Sequence, residues 1–152
     1  MEDKVLIKNR KATHDYFIEE DYIAGMKLIG PEVKSILNAN CSIAEAFVEI
    51  VNGEAWLLNA HVDKYANSNF FSSEKYDPTR KRKLLLNRAE INKLQKKVQE
   101  KGYTIVPLRI VYKNHKIKIV IGLAKGKKQH DKRHTLKEQQ ISRDMQREIK
   151  GR

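Results

Sequence analysis

The sequence predicts a mainly β fold with two or three helices, arranged as a small antiparallel barrel and followed by a basic tail. Three observations predict it. About six short segments are rich in apolar and β-branched residues and are separated by turn signals. Two segments have helical periodicity with recognisable start signals. The last 29 of the 152 residues carry ten basic and four acidic side chains, which is half of the net charge of +12.

The first strand candidates are residues 16–18 and 26–29, on either side of a turn predicted at Gly25. Residues 42–51 and 54–62 then flank Asn52-Gly53, the strongest short signal of a β-hairpin. Trp56 lies in the second of these segments, and we expect it in the core rather than on a stacking surface.

Two further strands follow. Residues 105–112 are almost all apolar, and Pro107 indicates an unpaired edge or a bulge there. After a turn at residues 113–115, residues 116–123 alternate, with the apolar side chains Ile117, Ile119, Ile121 and Leu123 on one face. The pattern is consistent with a closed or partly closed barrel. An oligonucleotide-binding-type barrel is the natural candidate, but periodicity alone does not distinguish it from a sandwich.

Both helices have local start signals. Pro31 fits the first turn of a helix whose apolar stripe ends at Asn38. The second is predicted over residues 87–101, with Asn87 and Glu90 spaced as a capping box and Gly102 after its end. Residues 64–79 are polar and predict an exposed loop that ends in an Asp-Pro turn signal.

Composition excludes several classes of protein. No apolar run approaches the roughly 18 residues of a membrane span, and residues 1–4 lack the apolar segment expected of a signal peptide. One cysteine, Cys41, excludes an internal disulfide framework and favours the cytoplasm. No set of residues has the spacing of a catalytic, metal or cofactor site, so we expect a protein that is not an enzyme and has no cofactor. The charge of +12 favours a polyanionic partner, most often nucleic acid.

The boundary between barrel and tail is predicted at 123/124, giving a domain 1–123 and a tail 124–152. The tail has no aromatic residue and too few apolar ones to offset its ordering entropy, so it is expected to be disordered when free. Ile141, Met145 and Ile149 are spaced four residues apart and would form one stripe of a helix on a surface that supplied packing.

Basic and aromatic residues are also grouped within the barrel segment. Basic runs occupy residues 80–83 and 8–11. Tyr16, Tyr65 and Phe70 lie near basic residues and are the best candidates for stacking on bases.

Several short words of the sequence, in order, resemble the SmpB family of bacterial SsrA-binding proteins. They are NRKA-HDY at 9–16, GPEVKS at 30–35, NGEAWLLNAH at 52–61, DPTRKRKLLL at 77–86, VPLR at 106–109, GLAKGKK at 122–128 and HDKR at 130–133. The resemblance covers about residues 8–138 and implies an oligonucleotide-binding-type barrel. It also implies binding to the tRNA-like domain of transfer-messenger RNA (tmRNA, SsrA RNA) and delivery of that RNA to stalled ribosomes for trans-translation.

The resemblance implies site residues, and the basic character of the words fits RNA phosphate contacts. The RNA-binding set expected from it is Asn9, Arg10, Lys11, Tyr16, Lys34, Arg80, Arg82, Lys83, Leu85, Lys125, Lys127 and Lys128. Within it, Asn9 would read a base edge and Leu85 would pack on an unstacked base. In the tail, the decoding-centre set is His130, Asp131, Lys132 and Arg133, which would contact small-subunit RNA while the tail becomes helical in the empty mRNA channel. An elongation factor and alanyl-tRNA synthetase would act through the tmRNA.

Departures from the family pattern put some contacts in doubt. Ile23 stands where many members have Glu, residues 37–41 are less basic than usual, and His115 stands where the hairpin usually has Gly. Three other functions stay open from the residues: an architectural ribosomal protein, a nuclease and a non-specific RNA chaperone. Preference for tmRNA over other RNAs would separate the SmpB function from the first and the third.

Overall fold

A computed structural model describes residues 4–64 and 76–127 of the chain. The described part contains three helices and nine strands, in the following order: β1 (Lys4–Lys8), α1 (Arg10–Asp15), β2 (Tyr16–Met26), α2 (Gly30–Leu37), β3 (Cys41–Ser42), β4 (Phe47–Val51), β5 (Glu54–Leu58), β6 (His61–Val62), β7 (Arg82–Leu85), α3 (Arg88–Val98), β8 (Tyr103–Lys113) and β9 (Lys116–Gly126). The prediction of a mainly β fold with two or three helices is confirmed.

Six of the strands close into a ring. The pairing order is β8-β4-β5-β7-β2-β9, and β9 pairs back onto β8, all antiparallel. β8 is long enough that β4 pairs near its start, at Ile105, while β1 pairs along its second half. β3 and β6 form a separate two-stranded sheet. The core fills the ring with fully buried side chains that include Leu57, Leu84, Ile119 and Leu123.

The prediction of a turn at Gly25 is wrong. β2 runs without interruption through Gly25, which pairs with Leu85 on one side and Lys118 on the other. A Cβ at this position would lie 3.2 Å from the Leu85 Cβ. Glycine is therefore present for close approach between strands rather than for a turn.

The predicted hairpin is confirmed, with shorter strands. Asn52 (φ 52°) and Gly53 (φ 75°) form the two-residue turn between β4 and β5, as in a type I′ hairpin. The Ala46 N–H donates to the Ile43 carbonyl in a turn before β4. After β5, Asn59 has a left-handed backbone (φ 60°) that ends the strand. Each predicted strand is thus divided into two, and their outer pieces form the β3–β6 pair.

The prediction that Trp56 lies in the core is wrong. Alternation in β5 directs Ala55 and Leu57 inward, where both are fully buried, and Trp56 therefore points outward. Trp56 is partly exposed opposite Glu49 of β4.

The β8–β9 hairpin follows the sequence prediction. A register shift between Pro107 and Arg109 is the bulge that Pro107 indicated. The turn residues Asn114 (φ 51°) and His115 (φ 62°) both have left-handed backbones. The predicted apolar face of β9 is buried, but Val120 and Ala124 of its other face are buried as well, so β9 is covered on both sides over its second half.

The helix starts are as predicted. α2 begins at Gly30–Pro31 and is followed by Asn38 at its C-terminal cap. Asn87 caps α3 by accepting from the Glu90 N–H at 2.9 Å, but the helix ends at Val98 rather than at residue 101. The sequence patterns did not predict α1 or β1, which lie in the basic segment before Tyr16.

The folded part extends past the predicted boundary at residue 123. β9 continues to Gly126, with Ala124 fully buried in a small cluster with Ala12 and Val106. The Asp-Pro turn is present, with Thr79 N–H bonded to the Asp77 carboxylate at 2.9 Å. Most of the predicted loop 64–79 and the tail from residue 128 lie outside the described residues.

Among the described residues, no helix is long and apolar enough to cross a membrane. The same residues contain no group of three or more potential metal ligands.

Candidate nucleic-acid interface

Half of the basic run 80–83 forms a buried structural network with Glu32 of α2. The Glu32 and Arg82 side chains are completely buried, and Arg82 Nη2 lies 2.6 Å from Glu32 Oε2. Arg80 donates to both oxygens of the same carboxylate. The remaining Arg82 donors bond the Ala60, Pro78 and Arg80 carbonyls and the Tyr76 hydroxyl, at 3.0 to 3.1 Å.

Burial raises the pKa of Glu32, but hydrogen bonds from Arg80 and the Ile29 N–H, together with the charge of Arg82, outweigh it and hold the pKa below its usual value. The carboxylate therefore stays charged and joins the start of α2 to the segment before β7. The assignment of Arg82 to RNA binding is wrong for this fold, because its guanidinium does not reach solvent. Arg80 is only partly exposed, and its charge is shared with Glu32.

Asn9 is likewise a structural residue, so the prediction that it reads a base edge is also wrong. Its side chain is 5% exposed. The amide donates to the Ile43 and Pro107 carbonyls at 3.0 and 2.8 Å and accepts from the Ala12 N–H at the start of α1. All three contacts fix the junction of β1, α1 and the turn before β4, and they use both N–H donors of the buried amide.

Leu85 is the last residue of β7, and it lies beside the C-terminal end of β2. It is 54% exposed, more than any other large apolar residue in the described part of the chain. Gly25 beside it has no side chain, and the Leu85 side chain and the Lys118 ammonium both lie within 4 Å of the position that a Cβ of residue 25 would occupy. Lys83 lies two residues before Leu85 on the same face and is partly exposed beside Glu54. An exposed apolar side chain between cations is suited to packing on an unstacked base.

An apolar pocket of about 380 Å³ lies beside Leu85. Its apolar lining includes Met26, Leu28, Val33 and Leu37, and its rim carries His115, Lys116 and Lys118. Lys34 follows Val33 on α2 and is exposed. This surface, comprising Leu85, Lys83, Lys34, Lys118 and the pocket, is called the Leu85 end below.

The other predicted basic residues gather at the opposite end of β2, around Tyr16. Arg10 and Lys11 are exposed on α1, and Lys11 pairs with Glu45 across a cleft that Tyr16 also lines. Lys127 lies 5.0 Å over the Phe17 ring and donates to the Thr13 carbonyl at 3.2 Å. Lys125 lies 5.7 Å over the Tyr103 ring. Arg10, Lys11, Tyr16, Lys125 and Lys127 make up what is called the Tyr16 end.

The predicted RNA-binding residues therefore do not form one face. β2 has 11 residues, and since a strand rises by about 3.3 Å per residue, its two ends lie on the order of 30 Å apart. The Leu85 end and the Tyr16 end are separate cationic surfaces, and the chain leaves the described part at the second of them. Of the predicted stacking residues, Tyr16 is partly exposed at that end.

Some predicted residues lie outside the described residues: Tyr65, Phe70, Lys128, His130, Asp131, Lys132 and Arg133. Others were missed. Lys118 belongs to the polar positions of an alternating strand, which was a usable signal, but only the pairing with Gly25 places it beside Leu85. Phe17 and Tyr103 gave no local signal, because their cationic partners are more than 20 residues away.

Two cationic surfaces with exposed apolar and aromatic side chains, on a ring of antiparallel strands, are typical of nucleic-acid-binding proteins. The family model described as SmpB protein matches residues 6–151. The SsrA-binding protein of Shouchella clausii (strain KSM-K16) is 49% identical over 151 residues, covering 99% of this chain and 95% of that protein. The SsrA-binding protein of Sulfurihydrogenibium sp. (strain YO3AOP1) is also 49% identical, covering 99% and 97%.

A solved structure described as "tmRNA-SmpB: a journey to the center of the bacterial ribosome" is 40% identical, with a TM-score of 0.66 and coverage of 81% of this chain and 85% of that one. The chain belongs to the SmpB family.

Proposed function

We propose that this protein binds the tRNA-like domain of tmRNA and brings it to stalled ribosomes for trans-translation, as a binding protein without catalysis in the cytoplasm. The names of its relatives support SsrA RNA as the ligand. The related structure combines SmpB with tmRNA and the ribosome. The closed ring of strands supports its classification as an oligonucleotide-binding-type barrel.

The Leu85 end is the proposed tmRNA surface. The observation that carries this proposal is Leu85 itself, 54% exposed between Lys83 and Lys118. A folded RNA is recognised through its shape, its phosphates and its unstacked loop bases, and these require cations around an apolar contact. Ile23 is 49% exposed on the same strand as Gly25 and would add a second apolar contact to this surface.

The Tyr16 end is proposed to face the ribosome. Lys125 and Lys127 are there, at the point from which the tail continues. Residues 128–133 would follow into the decoding centre, with the rest of the tail helical in the mRNA channel. An RNA-binding end and a tail exit about 30 Å apart would let one small protein contact tmRNA and small-subunit RNA together. The elongation factor and alanyl-tRNA synthetase would then act on tmRNA alone.

The direct test is competition binding. Labelled tmRNA is titrated with the protein at about 150 mM salt, where non-specific phosphate contacts are largely screened, against an excess of ordinary tRNA. We expect binding that tRNA does not displace. Leu85→Ala should weaken it, whereas Val51→Ala, a truncation of the 42% exposed Val51 of β4 outside the Leu85 end, should leave it unchanged. Equal, weak binding of both RNAs would contradict the proposal and favour a general RNA chaperone.

A further inference from the structure

A second cleft adjoins Leu85, between the β4–β5 hairpin and the start of α3. It has a volume of about 390 Å³, and its lining includes the turn residue Gly53, Lys83 and Leu85 of β7, and Arg88, the first residue of α3. We call it the Arg88 cleft. β7 pairs with β2 on one side and with β5 on the other. Leu85 therefore separates the pocket of the Leu85 end, towards β2, from the Arg88 cleft, towards β5.

The Arg88 side chain lies over the hairpin turn because residue 53 is a glycine. A Cβ at position 53 would lie 2.7 Å from Arg88 Nη1, closer than a Cβ approaches another heavy atom. The left-handed backbone of the turn (φ 75°) favours glycine by itself, and the guanidinium occupies the space that a larger residue would fill. Gly53 therefore forms the turn and also places the charge of Arg88 beside the cleft.

The charge of Arg88 is available to a ligand. Its guanidinium makes no ion pair or hydrogen bond within the part of the chain that the structure describes. The other charged side chains of the cleft, Lys83 and Glu54, pair with each other at 3.4 Å. At the start of α3, the Asn87 and Glu90 N–H groups are already bonded within the capping box. The excess positive charge of the cleft is therefore that of the Arg88 side chain.

We propose that the Arg88 cleft binds a backbone phosphate of the tmRNA strand that packs one of its bases on Leu85, an inference that rests on the proposed function of the Leu85 end. A base is joined to its flanking phosphates through one sugar, so a strand that places a base on Leu85 must carry its phosphates past the adjoining surface. The guanidinium of Arg88 can bind a phosphate through two parallel hydrogen bonds. The strand would then cross β7, with Lys118 on the β2 side of Leu85 and Arg88 on the β5 side.

The test measures tmRNA binding by full-length variants over a series of salt concentrations. Arg88→Ala should weaken binding by about tenfold and reduce the magnitude of the salt slope by about one phosphate contact. Arg88→Lys should keep the wild-type slope but recover only part of the affinity, because lysine keeps the charge and lacks the planar fork. The matched control is Lys101→Ala, which removes an exposed cation beyond the other end of α3, on the order of 20 Å away. It should leave affinity within about twofold.

A second variant tests how Arg88 is placed. Gly53→Asn keeps a residue that tolerates the left-handed backbone of the turn but puts a Cβ where the guanidinium lies. It should weaken tmRNA binding in the wild-type background and have no further effect in the Arg88→Ala background. Far-ultraviolet circular dichroism and urea denaturation check that each variant is folded.

Leu85→Ala, measured in the same series, separates this inference from the proposed function. If Leu85→Ala weakens tmRNA binding while Arg88→Ala keeps the wild-type affinity and salt slope, the phosphate site is overturned and the proposed function stands. If neither change affects tmRNA binding, the Leu85 end is not the tmRNA surface, and the phosphate site falls with it. An equal loss of affinity for ordinary tRNA in Arg88→Ala would also overturn the phosphate site, because Arg88 would then add only to non-specific attraction.

Discussion

Neighbouring residues of the basic run 80–83 have opposite environments, because a strand directs alternate side chains to opposite faces. Arg82 points inward and neutralises Glu32, whereas Lys83 points outward at the Leu85 end. Arg82→Ala should lower the free energy of unfolding by about 3 kcal/mol, since it removes one of the partners of a buried carboxylate. Lys83→Ala should change it by less than about 1 kcal/mol, as expected for a surface pair.

The effects of the two substitutions on RNA binding should have the reverse order, with Lys83→Ala the more damaging. Lys83→Ala should reduce tmRNA affinity and lower the dependence on salt by about one phosphate contact. Urea denaturation and a salt series of binding curves measure the two effects on the same preparations. A stable Arg82→Ala protein with weakened RNA binding would contradict the division between the two residues.

Glu32 also predicts a pH dependence. Its pKa is lowered in the folded protein from an ordinary value of 4.5, so the stability it contributes is complete above that value. This contribution is lost as the pH falls through the lowered pKa of the folded state. We expect Glu32→Gln to be less stable than the wild type near neutral pH, with the difference narrowing in acid. Denaturation curves at several pH values test this, and a difference that is constant with pH would contradict it.

The sequence identified the basic run but could not separate its members. Arg80, Lys81, Arg82 and Lys83 have similar charge and hydropathy, and the inward direction of Arg82 depends on a glutamate 50 positions earlier in the chain. Asn9 was misassigned for the same reason, since its partners Ile43 and Pro107 are distant in sequence. The residue types in the sequence therefore predict that a surface is basic, but tertiary contacts determine which of the basic side chains are exposed on it.

Elements with a local start or turn signal were predicted well. Asn52-Gly53 fixes its hairpin through two adjacent left-handed residues, and Asn87 caps α3 within four residues. The failures depend on contacts between strands. The turn prediction at Gly25 fails because the role of this glycine is visible only once Leu85 lies opposite. The core prediction for Trp56 fails because hydrophobicity does not reveal which face of β5 is inward.

The N-terminal cap of α3 should contribute measurably to the stability of the protein. Asn87→Ala removes the acceptor for the Glu90 N–H and should cost about 1 kcal/mol of stability. Asn92→Ala, at an exposed position inside the same helix, should be neutral or slightly stabilising because alanine has the higher helix propensity. Chemical denaturation of both variants gives the comparison. Equal effects would mean that the cap contributes nothing beyond propensity.

β2 sets the distance between the two cationic ends of the protein. The Leu85 end lies beside Gly25 and the Tyr16 end beside the pairing of Tyr16 with Gly126. The main cluster of buried side chains fills the ring, and a small second cluster of Ala12, Val106 and Ala124 lies at the Tyr16 end. Because close-packed cores deform little, the two ends are held at a fixed separation and orientation. A fixed separation is what a protein needs to place one RNA relative to another.

This arrangement predicts that binding and ribosome function can be separated by mutation. Leu85→Ala with Lys118→Ala removes the apolar contact and one cation from the proposed RNA surface, and should weaken tmRNA binding by about 2 kcal/mol. Lys125→Ala with Lys127→Ala removes two cations from the other end. The affinity of this variant for tmRNA should stay within about threefold of the wild-type value. Both lysines lie on the order of 30 Å from the proposed RNA surface, a distance at which salt screens their charge.

In a reconstituted tagging assay with tmRNA and protein well above their dissociation constant, the first variant should recover most of its activity, because mass action restores the complex. The second should stay impaired under the same conditions, since its defect lies after complex formation. Lys101→Ala, an exposed lysine after α3, serves as the control for a simple loss of charge. If both double variants lost tmRNA affinity equally, the two ends would form one RNA surface, and the separation set by β2 would have no functional role.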